Sequence, residues 1–452
     1  MWAWIEDQVN GDSLVKASPL FVGFALLSSA ILAIVPLLTL AKSISRSRAL
    51  RQSPPGCKRL GLPFNQSHLS DEFDRKYAQG TSPDSKDEDG LPSWRVKALF
   101  TYPIKSCRGI ELEHADVVST GLQYDRQFAF AQQTPKGWVC RTLRNAGFER
   151  MARIHAEIWI PDPSSPSYET RRPEIRSGGV MIVSYPRVTP PGLVLGTIIK
   201  TGVMLGLVTF RESFTVPLQP ETPAETDSPS QPSYPLRPVT IWKDSPLAHD
   251  YAIHLPPSLH QYLGFHHPSS SPITLFRAHS THPRNIYRNA PRKAQLGFQP
   301  QTAFADAYPL HLLTLSSHHD VAARCASSLP HLSIRRFRAN IIIQGPGPFA
   351  EDQWKKVRIG NTDVYAACRT IRCLLPNVDP DTGVRHASQP DRTLKGYRRV
   401  DEGDLTNACL GLQLVPGVRE WVVRVGDEVR VLETGVHRYI KMLARGEKVE
   451  GV

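Results

Sequence analysis

Between Leu20 and Ala41 the chain reads LFVGFALLSSAILAIVPLLTLA, 22 residues without a charged side chain. A helix of that length rises ~33 Å, enough to cross a bilayer core of ~30 Å. A cleaved leader fits less well, because Glu6, Asp7 and Asp12 stand ahead of the run, which is longer than the apolar core of a signal peptide. The expectation is a single N-terminal transmembrane helix, residues 20–41, behind a short flank of residues 1–19. Lys42, Arg46, Arg48 and Arg51 follow the span directly, whereas the preceding flank is acidic. Basic flanks stay on the cytosolic side, which places the large C-terminal portion there.

The folded body must come from the remainder. Residues 42–92 mix basic and acidic side chains with serine and proline and hold few large apolar groups, so they are expected to form a disordered linker. From Trp94 to Gln132 the pattern changes to short alternating runs with turn signals between them: RVKALFTYPIK, GIELEHADVV and LQYDRQFAFAQ. Further strands are expected at 154–160, 178–184 and 239–242, and from Phe337 onward in FRANIIIQG, VRIG, TDVYAACR and WVVRVGDEVRVLE, the last as a hairpin. Helical signals are sparser, the clearest being at Ser258–Leu263 and Ser316–Ser328. The fold class is therefore α+β, mostly β.

Two stretches interrupt the strands. Pro190–Phe210 is apolar around a central Lys200, and residues 217–238 are rich in proline and serine; together they are read as an insertion at 190–238, buried or docked on a surface. Residues 266–299 are polar and rich in arginine and histidine, and are read as a second insertion.

The formal charge is +12, but the basic residues are scattered and carry no nucleic-acid-binding signature, so an anionic membrane, cofactor or acidic partner is the better match. Seven widely spaced cysteines do not resemble a disulfide framework and point to a reducing compartment. Cys368 and Cys373 lack the spacing of a zinc site.

Four motifs carry chemistry: Lys105 and Ser106 in YPIKSCRG, Asp125 and Arg126 in GLQYDRQFAF, Arg338 and Asn340 in FRANIII, and Cys373 beside Arg372 ahead of VDPDTG. In this order, from about Val96 to Val431, they resemble the MOSC family, and within it the membrane-anchored amidoxime-reducing molybdoenzymes. The family spacing is CxRC where this chain has CRTIRC, which leaves Cys373 as the matched position and Cys368 as a buried apolar side chain. Asp379 and Asp381 are read as turn-formers.

The resemblance implies an N-terminal β-barrel-like MOSC domain over 93–300 and a C-terminal MOSC domain, an irregular β-barrel with a few helices, over 301–445. It implies a molybdenum cofactor (Mo-molybdopterin) with Cys373 as metal ligand and catalytic residue. Lys105, Ser106, Arg126, Arg338, Asn340 and Arg372 would bind that cofactor. Thr314 and Ser317 resemble the family's pocket-lining TxxS segment, while His318 and His319 are read as surface groups. Neighbouring cations are expected to lower the Cys373 thiol pKa. The implied reaction is two-electron reduction of small N-hydroxylated substrates such as amidoximes and hydroxylamines. No flavin, haem or nicotinamide motif is present, so electrons would come from cytochrome b5 and NADH-cytochrome b5 reductase. The implied location is the mitochondrial outer membrane. The alternative is a molybdenum cofactor or sulfur carrier, related to the MOSC domain that follows the sulfurase domain of molybdenum cofactor sulfurase.

Overall fold

The computed structural model describes residues 53–188, 193–205, 207–220, 234–264 and 272–441. The expected anchor at 20–41 and the C-terminal tail beyond 441 lie outside the described residues. Among the described residues no helix is long and apolar enough to cross a membrane. The apolar Pro190–Phe210 stretch holds one helix, Leu193–Met204, of 12 residues, whose rise of ~18 Å falls short of a bilayer core. Val188–Glu212 belongs to a unit separate from the larger one, Ser53–Arg187 with Ser213–Val452.

The larger unit is mostly β, as its alternating runs require. Its widest sheet has eight strands in the order Val429–Thr434, Trp354–Ile359, Thr362–Ile371, Cys409–Pro416, Leu310–Thr314, Ile341–Gln344, Arg95–Thr101 and Ile110–Leu112. All neighbours are antiparallel except Leu310–Thr314 with Ile341–Gln344, which run parallel. The strand Arg95–Thr101 comes from the N-terminal half, yet it pairs with Ile341–Gln344 of the C-terminal half through Leu99 opposite Ile341. The two halves therefore share one sheet and one core.

The closed barrel is built from the N-terminal half alone. Its five strands are Leu236–Thr240, Leu247–Asp250, Ile273–Ala278, Phe128–Thr134 and Gly137–Cys140, and Leu236–Thr240 pairs with Gly137–Cys140 to close it. Phe276, Phe304 and Val239 fill the interior. The C-terminal half forms an open sheet rather than the barrel expected for it. Residues 266–299, expected as an insertion, contribute a barrel strand: five of the six residues of Ile273–Ala278 are buried. The arginine and histidine of the flanking loops mask that run in sequence.

Two other expectations change. Trp421–Arg424 pairs with His114–Val118 and Val429–Thr434 with Trp354–Ile359, so WVVRVGDEVRVLE links two sheets and is not a hairpin. Val423 and Val429 are the buried residues of these two strands. The linker also proves folded over residues 53–92. Leu69 and Tyr77 enter the core beside Phe100, Tyr102 and Phe337, buried Glu72 accepts from Ile334 N at 3.0 Å, and Asp71 pairs with Lys97 at 2.9 Å. The segment has few apolar residues, but they fall where the core has room for them.

A mobile tether would tolerate loss of a leucine, whereas a core position would not. Leu69→Ala should destabilise the protein by about 2–4 kcal/mol, measured by urea unfolding of the full chain; an unchanged midpoint would contradict the packing.

Candidate functional site

Asn340 joins the two halves. It lies just ahead of the strand Ile341–Gln344 and is fully buried. Its side-chain oxygen accepts from Arg126 Nη1 at 3.0 Å and from His311 N at 3.1 Å, while its amide nitrogen donates to Asp125 Oδ1 and to Phe100 O, each at 3.0 Å. Asp125 in turn accepts from Tyr102 N at 2.8 Å and pairs with Arg126 at 2.7 Å. The second terminal nitrogen of Arg126 donates to Arg338 O at 3.0 Å. Three motifs that are far apart in sequence thus close into one network.

That network fixes a strained rim. Seven non-glycine residues among those described have positive φ, and four of them, Ser106 (67°), Arg126 (46°), Trp242 (57°) and Arg338 (57°), line one cavity of about 390 Å³. Strained backbone gathers where structure over-determines it, commonly at ligand sites. Gly411, at φ 78°, also serves this wall: a Cβ there would meet Leu312 O at 2.5 Å and His311 Nε2 at 2.8 Å.

The cavity is strongly basic. Lys105, Arg126, Arg144, Arg288, Arg338, Arg369, Arg372 and Lys441 line it against two acids, Asp306 and Asp404. The Tyr102 ring carries two of these cations, with Arg338 4.2 Å and Arg126 4.5 Å from its centroid, which offsets part of their mutual repulsion. Burial pulls the Arg338 and Arg372 guanidinium groups down to about 10, so both remain charged at neutral pH. Lys105 Nζ donates to Phe304 O at 2.8 Å and to Asp306 Oδ1 at 2.5 Å. Desolvation would raise the Asp306 carboxyl, but Lys105 and the Trp242 indole outweigh it and hold it below the usual range.

Cys373 lines the same cavity, half-buried beside Arg372. Its thiol is not lowered as expected: burial pushes it up, and the Leu375 backbone and Arg372 offset that only in part. His311, buried on this wall, is held well below its ordinary value by burial and by Arg372, and is therefore neutral.

The structure thus brings Lys105, Ser106, Arg126, Arg338, Asn340, Arg372 and Cys373 to one cavity and leaves out Thr314 and Ser317. Those two are fully buried at the start of the helix Leu315–Cys325. Thr314 Oγ1 caps it by accepting from Ser317 N, and Ser317 Oγ donates to Glu351 Oε2 at 2.9 Å. His318, expected at the surface, is also buried, with Nε2 2.5 Å from Leu332 O. Cys368 is a buried core side chain. Asp379 forms the turn by accepting from Thr382 N, and also pairs with Arg336, while Asp381 pairs with Arg335. Asp306, His311, Trp242 and Arg288 escape sequence reasoning; only His311, a lone histidine in the apolar run LHLLT, carries a signal.

A second cavity, of about 520 Å³, lies under residues 59–72 and shares Arg338 with the first. Two of its cations are paired, Arg335 with Asp381 and Arg336 with Asp379, and Glu111 accepts a hydrogen bond from His68 N.

Comparison with known proteins places family domains over both halves. The MOSC N-terminal beta barrel domain matches residues 93–164 and the MOSC domain matches residues 299–430. Mitochondrial amidoxime-reducing component 1 of Mus musculus is 35% identical over 145 residues, which is 31% of this chain and 41% of that protein. Component 1 of Homo sapiens is 36% identical over 144 residues, 30% of this chain and 41% of the relative. Component 2 of Homo sapiens is 38% identical over 104 residues, 23% and 30% respectively. The chain thus spans about two fifths or less of the length of these curated relatives.

The buried Glu351 makes a separate prediction. Burial, reinforced by Asp352, pushes its carboxyl up to about 7 against the opposing Ser317 and Thr314 hydroxyls. A carboxyl raised in the folded state contributes stability that is complete below about pH 4.5 and is lost as pH rises through about 7. Glu351→Gln should abolish this decline, which is on the order of 3 kcal/mol, as read by urea unfolding at pH 4.5, 6 and 8. Parallel pH profiles for wild type and variant would contradict it.

Proposed function

Because this chain carries the MOSC N-terminal β-barrel domain and the MOSC domain, we propose that it is a molybdenum-cofactor-dependent reductase of N-hydroxylated substrates, amidoximes and hydroxylamines among them. The observation that supports this reading most is the convergence of one accessible thiol, Cys373, with the excess of cations around one cavity. Three of those cations carry a buried donor without a hydrogen-bond partner: Arg338 Nη2, Arg369 Nε and Arg372 Nε. An unsatisfied buried donor costs about 1–3 kcal/mol. An anionic ligand in the cavity would remove that cost.

A pterin phosphate and dithiolene are anionic and fit this donor set. Cys373 would hold the metal through sulfur, since molybdenum favours soft anionic ligands. Metal binding would also take the thiol proton that burial retains in the free protein. Lys105, Arg126, Arg338 and Arg372 would balance the negative charge, with Ser106 and Asn340 as polar neighbours. When bound, the cofactor would supply two-electron reduction of the N–O bond, so that an amidoxime, two electrons and two protons give an amidine and water. The chain's own part is to hold these cations before any ligand arrives: Arg126 through Asp125 and Asn340, Lys105 through Asp306, Arg338 through Cys107 O and Arg372 through Phe337 O.

Cytochrome b5 with NADH-cytochrome b5 reductase is proposed as the electron source, supported by the complementarity between an acidic donor and the +12 charge of this chain. A single-pass location in the mitochondrial outer membrane, with the large portion cytosolic, is supported by the basic flank after Ala41 and by relatives named as mitochondrial.

The test is molybdenum content and benzamidoxime reduction of the full chain purified from a host that makes the cofactor, wild type beside Cys373→Ala. Because neighbours of a metal ligand alone cost about 10–100-fold when lost, the variant should lose metal and more than about 100-fold of activity, with its secondary structure by circular dichroism unchanged. Full activity in the variant would remove Cys373 from the site. Metal retention without turnover in wild type would favour the carrier reading.

A further inference from the structure

One wall of the basic cavity is not accounted for by anion binding. Ile241 and Asp244 exchange backbone hydrogen bonds of 2.9 and 3.0 Å, closing a two-residue turn on Trp242 and Lys243. Trp242 sits at the tip of this turn with φ 57° and with its side chain at the cavity; the residue is 44% exposed. A large aromatic residue in left-handed backbone, facing water, gains nothing for the core.

The turn is nevertheless held firmly. The indole Nε1 donates to Asp306 Oδ1 at 3.1 Å, and the Arg144 guanidinium lies 4.3 Å from the ring centroid. Beneath the turn, buried Arg284 donates from Nε to Asp244 Oδ2 at 2.7 Å. Its terminal nitrogens reach the carbonyls of Ala303, Ala305 and Asp306 at 3.3, 2.6 and 3.2 Å. A buried arginine that satisfies four acceptors makes the turn rigid. Trp242 and Arg284 both fall between the segments matched by the two family domains, 93–164 and 299–430. The aromatic wall thus lies outside the matched segments, whereas the basic residues of the cavity come largely from them.

We propose that Trp242, backed by Arg144, recognises the flat aromatic part of the substrate, so that aryl amidoximes and aryl hydroxylamines are preferred to alkyl ones. The proposal rests on the reductase reading. The indole offers offset stacking to a flat ring and nothing comparable to a short alkyl chain. The surrounding cations disfavour a cationic substrate, and a neutral planar molecule is the class that the indole face fits. Arg284 acts as a positioning residue that keeps the indole in place.

The test uses the full chain as wild type, Trp242→Phe and Trp242→Ala. Benzamidoxime binding is measured by calorimetry. Reduction of benzamidoxime and acetamidoxime is followed with reduced methyl viologen as electron source, and molybdenum content is read in parallel. Trp242→Ala should weaken benzamidoxime binding and lower the aryl-to-alkyl ratio of kcat/KM by roughly 3- to 10-fold, and Trp242→Phe should restore most of both. Equal losses for aryl and alkyl substrates, unchanged aryl binding, or loss of molybdenum in Trp242→Ala (the indole then serving the cofactor) would each overturn the proposal. If even wild type reduces neither substrate while benzamidoxime binding still depends on Trp242, the reductase reading fails and the aromatic recognition surface stands.

Discussion

The buried contact among Asp125, Arg126 and Asn340 is the interaction on which the rest depends. A buried ion pair is seldom retained for stability alone, because desolvating two charges costs about as much as their attraction returns. Here the pair is embedded in a set of hydrogen bonds that determines which strands can meet. Asn340 reaches Phe100 O on the strand from the N-terminal half and receives His311 N from the neighbouring C-terminal strand. Replacing the pair with apolar groups of similar volume would fill the space but would leave the Tyr102 amide without its Asp125 partner and remove the Arg126 bond to the Arg338 carbonyl.

The same contact explains the rim. Left-handed backbone at Ser106, Arg126 and Arg338 costs roughly 1–2 kcal/mol per residue, and no propensity in YPIKSCRG, GLQYDRQFAF or FRANIII calls for it. Arg126 N donates to Tyr102 O at 2.8 Å while its side chain holds the Arg338 carbonyl, so tertiary bonding offsets the strain at both arginines. The three residues in this conformation all line the cavity.

How far the sequence discloses this differs between fold and site. Alternation is a local property, so strands such as Arg95–Thr101 and Phe128–Thr134 are legible, and so is the mostly β class. Pairing is not local. The partners of Trp421–Arg424 and Val429–Thr434 lie hundreds and tens of residues away, and nothing within WVVRVGDEVRVLE distinguishes a hairpin from a bridge between sheets. Residues 53–92 mislead for a related reason, since composition averages over a segment whereas Leu69 and Tyr77 act singly. At the site, seven of the nine residues named from motifs share the cavity because the motifs end strands that converge there. Thr314 and Ser317 part from them because an ST-x-x-type pattern serves equally well as a helix cap. Trp242 and Asp306 lie in no motif and are brought to the cavity by the turn that Arg284 clamps.

The electrostatics of the cavity then link ligand and fold. Burial lowers Arg338 and Arg372 only to about 10, so neither can shed its charge at neutral pH to relieve the crowding of eight basic side chains against two acids. The free protein must carry that repulsion, softened by the Tyr102 ring and the Lys105–Asp306 pair. Any anion that binds the folded cavity and not the unfolded chain returns part of this energy as stability. Cys373 follows the same logic with the opposite sign: burial favours its neutral thiol, so the thiolate becomes favourable only when a metal takes the place of the proton. The crowded charge thus favours an anion in the cavity, whereas the thiol would have to give up its proton to any metal that binds there.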